Sequence, residues 1–82
     1  MLWYLELNGE QTNINFLHVT TEMEILGDLE NELDTKYPED FPYGCYDVEI
    51  LSRTENVIEI NIIHESEDSD QMEKTDAIIR KR

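Results

Sequence analysis

The chain has 82 residues, with 20 acidic and 6 basic side chains, a formal charge of −14 at pH 7, and one cysteine, Cys45. A chain of this length forms one core rather than two, a lone cysteine excludes an internal disulfide, and no apolar run reaches the length of a membrane span or a signal-peptide core. We therefore expect a single acidic α+β domain over residues 1–82 that lies in the cytoplasm and binds neither nucleic acid nor membranes directly, because its charge repels both.

The first two apolar segments predict a β-hairpin. Residues 3–7 and 14–19 are rich in aromatic and branched side chains, and Asn8-Gly9 between them is a strong turn signal. We predict a register that pairs Leu7 with Ile14, because it places the large apolar groups on one face of the hairpin.

A helix is predicted after this hairpin. Thr21 and Glu24 have the spacing of a capping box, in which each residue's side chain accepts from the backbone N–H of the other. Pro38 is expected to end the helix. Apolar residues at spacings of three and four predict its buried stripe: Met23, Leu26, Leu29, Leu33 and Tyr37.

A second hairpin is predicted beyond a loop over residues 38–44. Apolar and polar side chains alternate over residues 46–50 and 58–62, as expected for half-buried strands. The predicted register pairs Val48 with Ile60. It also sets Glu49 opposite Glu59, and like charges at directly opposed positions destabilise a strand pair.

The last segment is predicted to be a second helix. Asp70 and Glu73 repeat the capping spacing, and the segment has acidic residues first and basic residues last, which suits a helix dipole. The complete order is then ββαββα. It predicts a four-stranded antiparallel sheet of two hairpins, with two helices on one face.

The sequence contains no convincing catalytic constellation. It has no phosphate-binding glycine loop, no CxxC pair, and no nucleophile with a base at a recognisable spacing. We therefore expect no enzymatic activity, no cofactor and no bound metal. His18 and His64, with Glu22 or Glu65, form a partial ligand set, and a small metal-dependent enzyme built on it is the weakest of three functional interpretations.

The placing of the carboxylates is the most specific feature of the sequence. Glu24, Asp28 and Glu32 recur every four residues and form a row along one side of the predicted helix, with a spacing of about 6 Å. This spacing is comparable with that of phosphates along a nucleic-acid strand. We add Glu49 and Glu59 to the predicted contact surface. A solubilising surface explains any one row, whereas the sum of unpaired acids favours nucleic-acid mimicry.

Aromatic residues form a second candidate contact. Phe41 and Tyr43 stand beside Glu39 and Asp40, an arrangement of aromatic anchors within an acidic rim that suits a basic partner. Packing of the same aromatic side chains into the core is the alternative.

These features together predict an acidic inhibitor or binding protein that blocks a basic, nucleic-acid-binding protein. In size, acidity and lack of catalytic groups the chain resembles the phage-encoded anti-restriction and anti-CRISPR inhibitors, which act in the host cytoplasm, and the acidic immunity proteins of toxin nucleases. The likeness is one of composition, so it assigns no residue a role. The alternative is a small structural or regulatory interaction module that forms a homodimer through the sheet face away from the helices.

Overall fold

The protein is an antiparallel five-stranded sheet with a bent helix on one face, in a computed structural model that describes residues 2–66 and 71–82. The strands are β1 (Trp3–Leu7), β2 (Glu10–Phe16), β3 (Asp47–Arg53), β4 (Val57–Glu65) and β5 (Met72–Lys81). The helical segments are α1 (Glu22–Glu30) and α2 (Leu33–Lys36). Strand order across the sheet is β2-β1-β5-β4-β3. The α+β class is confirmed, but the prediction of four strands and two helices on one face is wrong.

The last segment is a strand, not a helix. β5 lies in the centre of the sheet, antiparallel to β1 on one side and to β4 on the other. Ile79 is fully buried between its partners Leu5 and Ile58. Pairing on both sides satisfies the backbone of β5 and buries alternate side chains, which outweighs the helix-like order of its charges. The predicted cap at Asp70 falls outside the described residues.

The first hairpin is confirmed, but its register is wrong. Leu7 pairs with Glu10 rather than with Ile14, so β2 begins directly after the turn. Asn8 and Gly9 both have positive φ, 52° and 80°. Such a two-residue turn matches the twist of the strands it joins and leaves no room for the longer loop that the predicted register required.

The second hairpin is also confirmed, with a register shifted by two residues. Val48 pairs with Ile62 rather than with Ile60, and Glu49 faces Asn61. Glu59 faces Ser52, whose hydroxyl donates to the Glu59 carboxylate at 3.1 Å. The predicted repulsion between opposed glutamates is therefore absent.

The capping box of α1 is confirmed. The Glu24 N–H donates to Thr21 Oγ1 at 3.3 Å, and the Thr21 N–H donates to Glu24 Oε1 at 2.9 Å. The predicted buried stripe is only partly correct. Leu29 and Leu33 are buried, but Ile25 takes the core position and Met23 is 81% exposed.

The core lies between one face of the sheet and the helical segments. We call the other face of the sheet the open face. No helix among the described residues has the length and apolar character needed to span a membrane. In the core, alternate side chains of the strands pack against side chains of the helical segments and of the loop that follows them. The largest fully buried side chains are Phe16, Phe41, Leu5, Ile14, Ile25, Leu29, Leu33, Ile58, Ile60, Ile62, Ile79 and Val48.

On each edge strand, a charged side chain forms a hydrogen bond with a backbone group. On β3, the Ile50 N–H donates to Glu22 Oε2 at 2.8 Å. On β2, Lys36 Nζ donates to the Asn13 carbonyl at 3.3 Å. Unpaired backbone groups on an edge strand are templates for pairing with other chains. These two bonds therefore also protect the borders of the sheet.

Replacing Ile25 by alanine should destabilise the protein by about 2–5 kcal/mol, because it leaves a cavity in the core. The matched change Met23→Ala, in the same helix, should change the free energy of unfolding by no more than about 0.5 kcal/mol, since that side chain is exposed. Urea denaturation measures both. Equal losses for the two variants would contradict this assignment of the buried helix face.

Candidate protein-binding surface

The helical segments and the loop after them form a strongly acidic surface. We call residues 22–40 the acidic layer. Lys36 is its single cation, and its ion pair with Glu32, at 2.8 Å, leaves most of the carboxylates uncompensated. The acidic side chains of this layer are Glu22, Glu24, Asp28, Glu30, Glu32, Asp34, Glu39 and Asp40.

The predicted row of Glu24, Asp28 and Glu32 lies together in space. The pKa of Asp28 is raised above its ordinary value, first by partial burial and then by the negative charges of Glu32 and Glu24, while nearby His18 lowers it. A carboxylate whose pKa responds to both neighbours lies in the field of both. Glu24 and Asp28 lie on α1 and Glu32 immediately precedes α2, so the acidic row runs from the first helical segment to the start of the second.

Two members of this row also have structural roles. Glu24 accepts the hydrogen bonds of the capping box, and Glu32 makes an ion pair with Lys36. Asp28 takes part in none of the ion pairs among the described residues. The capping pattern and the four-residue spacing from Glu32 to Lys36 are both visible in the sequence, so these roles could have been predicted. Asp28 is the least engaged carboxylate of the three.

Glu49 and Glu59 lie away from this row, on the open face. Glu49 makes an ion pair with Lys74 at 3.1 Å, and Glu59 accepts from Ser52. Val48, Ile58 and Ile60, their neighbours along the chain, point into the core. The structure therefore divides the five predicted carboxylates between the two sides of the sheet.

The two aromatic residues of the predicted contact have different environments. Phe41 is only 2% exposed, and its ring lies edge-on to the His64 ring with centroids 4.8 Å apart and an interplanar angle of 69°. Core packing, the alternative interpretation, therefore holds for Phe41. Tyr43 is 61% exposed beside the acidic layer, and Tyr46 is also exposed. An aromatic contact with a partner is thus available from Tyr43 and not from Phe41.

His18 and His64 lie at opposite ends of the sheet. His18 follows the end of β2, where Phe16 pairs with Trp3, and Trp3 in turn pairs with Lys81. His64 pairs with Glu73, eight residues back along β5. The suggested metal site that joins the two histidines is therefore wrong. No group of three His, Cys, Asp or Glu side chains in residues 2–66 and 71–82 is placed to hold a metal ion.

Cys45 is a partly buried thiol beside acidic residues. Its Sγ donates to the Asp47 carbonyl at 3.3 Å. Burial raises its pKa to about 12, and the negative charges of Glu30 and Asp47 add to the effect. A thiol with such a pKa remains protonated near neutral pH, so Cys45 is a poor nucleophile.

The open face differs from the acidic layer in its mixture of charges. Arg80 Nε donates to Glu6 Oε2 at 2.8 Å, which raises the pKa of Arg80, and the Arg82 guanidinium lies 5.0 Å from the Tyr4 ring centroid. With Lys74, three cations therefore lie among the acids of this face. Comparison of the chain with protein-family models, with characterised proteins and with solved structures found no match.

Replacing Asp28 by asparagine should stabilise the protein at pH 7 and leave its stability unchanged near pH 3. Because the folded-state pKa of Asp28 lies above 3.8, its contribution to stability falls as the pH rises through the interval above that value. The gain comes first from removing the desolvation cost of the partly buried carboxylate. Removing the repulsion from Glu32 and Glu24 should add about 0.2–0.5 kcal/mol per pair, kept small by solvent screening.

Urea denaturation at the two pH values in low salt measures this difference. Glu55→Gln, in the exposed turn before β4, is the control and should show no such pH dependence. A loss of stability at pH 7 in Asp28→Asn would show that the attraction to His18 outweighs the repulsion.

Iodoacetamide should alkylate Cys45 slowly in the folded protein. A pKa near 12 lowers the thiolate population strongly, and the greater nucleophilicity of a more basic thiolate recovers only part of the rate. We expect alkylation at about pH 8.5 to be roughly 30-fold slower in the folded protein than in urea. Mass spectrometry of quenched samples gives both rates. Similar rates in the two states would place the thiol in solvent.

Proposed function

We propose that the protein is an acidic binding protein that blocks a basic, nucleic-acid-binding protein by presenting carboxylates where phosphates bind. The observation that carries this proposal is the segregation of charge. The acidic layer has Lys36 as its single cation, and Arg53 reaches only its border, where it donates to the Thr20 carbonyl. Lys74, Arg80 and Arg82 lie on the open face. A surface that served only solubility would usually mix both signs.

Fixed geometry supports the same proposal. The capping box fixes the start of α1, and Ile25, Leu29 and Leu33 anchor the helical segments in the core. The carboxylates of the row are therefore held at defined positions rather than on a disordered tail. Ordered charges can match the cationic groups of a nucleic-acid site in spacing as well as in sign.

The acidic layer is the proposed contact surface, and Asp28 is the member of its row between Glu24 and Glu32. Glu24 and Glu32 contribute charge while they keep their structural roles, and Tyr43, three residues beyond the layer in the chain, is an exposed aromatic group. Glu49 and Glu59 would serve a separate contact on the open face. Such a surface should accelerate encounter with a basic partner, and salt should weaken the binding steeply.

Charge reversal on the acidic layer should abolish capture of the partner. The test compares the wild type with Asp28→Lys/Asp34→Lys and with Glu55→Lys/Asp76→Lys, which makes the same change of net charge away from the acidic layer. Each protein is immobilised and exposed to host lysate, with duplex DNA as competitor. We expect DNA and rising salt to displace the captured protein, and at least tenfold weaker capture by the acidic-layer variant alone.

Equal capture by the two double variants would contradict the proposed surface. Capture that neither DNA nor salt reduces would contradict nucleic-acid mimicry itself. The matched control matters because both variants lose the same repulsive charge, so a general effect of net charge appears in both.

The second candidate function is a small dimeric interaction module. Leu51, at the irregularity in β3, is 53% exposed, and Leu2 and Leu17 are also exposed. Apolar side chains of this kind become favourable contacts when a second copy covers them. Sedimentation equilibrium separates the two functions, since an apolar dimer persists in high salt whereas charge-driven binding is lost.

A further inference from the structure

A buried histidine lines a cavity at the end of the sheet opposite His18. His64 is only 4% exposed, and its Nε2 lies 2.8 Å from the Thr75 hydroxyl. Its Nδ1 is buried and has no hydrogen-bond partner among the described residues. A buried polar atom without a partner costs about 1–3 kcal/mol, so its presence beside a cavity calls for a functional explanation.

The cavity has a volume of about 250 Å³ and is partly open to solvent. Two exposed carboxylates, Asp40 and Glu73, belong to its lining, and neither takes part in the ion pairs among the described residues. His64 and Glu73 are opposed partners on β4 and β5. The complete lining is Leu7, Asn8, Asp40, Phe41, His64, Glu73 and Thr75.

The chemistry of this lining selects a cation. Two unpaired carboxylates repel anions and accept hydrogen bonds from a positively charged donor. When His64 Nε2–H donates to the Thr75 hydroxyl, Nδ1 is left as an acceptor. Phe41 adds an aromatic ring beside the histidine. The walls therefore offer two carboxylates to a ligand rich in donors, and the largely buried His64 and Phe41 also belong to the lining.

The volume of the cavity favours a small ligand group. A cavity of about 250 Å³ is below the usual range for a drug-sized ligand, but it accommodates the end of one long side chain. A guanidinium is planar, has five donors, pairs with carboxylates in a forked geometry and packs on aromatic rings. An ammonium is a compact point charge that uses this geometry less well.

We infer that this cavity binds the guanidinium of an arginine side chain presented by the basic partner. This inference rests on the proposed function and adds a specific anchoring site to the diffuse attraction of the acidic layer. Asp40 belongs to both surfaces, so an arginine in the cavity would lie at the margin of the layer. Arginine is among the residues that most often dominate binding energy at interfaces.

N-acetyl-arginine amide is the probe for a direct test on the full chain. Proton–nitrogen NMR spectra recorded during its titration should show shifts concentrated at Asn8, Phe41, His64 and Thr75, with a dissociation constant on the order of millimolar for so small a ligand. N-acetyl-lysine amide should bind more weakly, and inorganic phosphate should cause no shifts at these residues. Stronger shifts with phosphate, or arginine-induced shifts spread along α1, would overturn the inference.

The variant Asp40→Asn/Glu73→Gln should weaken binding of the arginine probe about tenfold or more, because it removes both charged acceptors. The control Glu30→Gln/Glu55→Gln removes the same charge outside the cavity and should change the affinity less than about twofold. His64→Phe should also weaken binding. Since a core change can impair folding, the carboxylate variant decides the outcome, and unchanged affinity in it would overturn the inference.

Failure of this site is distinguishable from failure of the proposed function. If the partner is lost with Asp28→Lys/Asp34→Lys but retained with Asp40→Asn/Glu73→Gln, the acidic layer acts without the cavity and the inference is overturned. If the cavity binds the arginine probe but no basic partner is captured, the cavity is a guanidinium site and the proposed function fails.

Discussion

The pairing of β5 with both β1 and β4 is the constraint on which the rest of the structure depends. The two hairpins are separate in the chain, and their strands do not pair with each other in the sheet. β5 joins them into one sheet, with Ile79 buried between Leu5 and Ile58. A single two-stranded hairpin is marginal in water, whereas a five-stranded sheet provides a face wide enough for a helix to cover. The surface that carries the acidic layer thus depends on the last segment of the chain.

The fold also determines how the large negative charge is distributed. β5 supplies Lys74 and Arg80 to the open face, where they pair with Glu49 and Glu6. On the helix side, Lys36 pairs with Glu32, and Arg53 donates to the Thr20 carbonyl rather than to a carboxylate. Repulsion along the helix is therefore left in place, and the buried anchors Leu29 and Leu33 compensate for it through apolar burial.

Features set by neighbouring residues could be predicted from the sequence, and features set by distant ones could not. The capping box at Thr21 and the turn at Asn8-Gly9 are local, and both were correct. The predicted strand registers were wrong because a shift of two or four residues keeps every side chain on the same face, so alternation alone does not choose between registers. The prediction of a helix in place of β5 was wrong because the helix-like charge order is a local feature, whereas the two partner strands of β5 are remote in sequence.

The candidate site shows the same division. Helical periodicity predicts that Glu24 and Asp28 lie one turn apart on α1, whereas the position of Glu32 also depends on the break before α2. The cavity around His64 combines the first turn, the loop at Asp40 and the paired strands β4 and β5. No spacing in the sequence indicates that combination. Its one visible signal was a histidine within an apolar alternating segment, which is equally typical of an ordinary core residue.

The bonds from Glu22 to Ile50 and from Lys36 to Asn13 have a consequence for how other molecules engage the protein. A peptide that paired its main chain with either edge strand would first have to break one of these two hydrogen bonds. Recognition by strand addition is therefore disfavoured. The same two hydrogen bonds hinder edge-to-edge pairing between copies of the sheet. Copies at high concentration in a cell therefore have less opportunity to polymerise into fibrils.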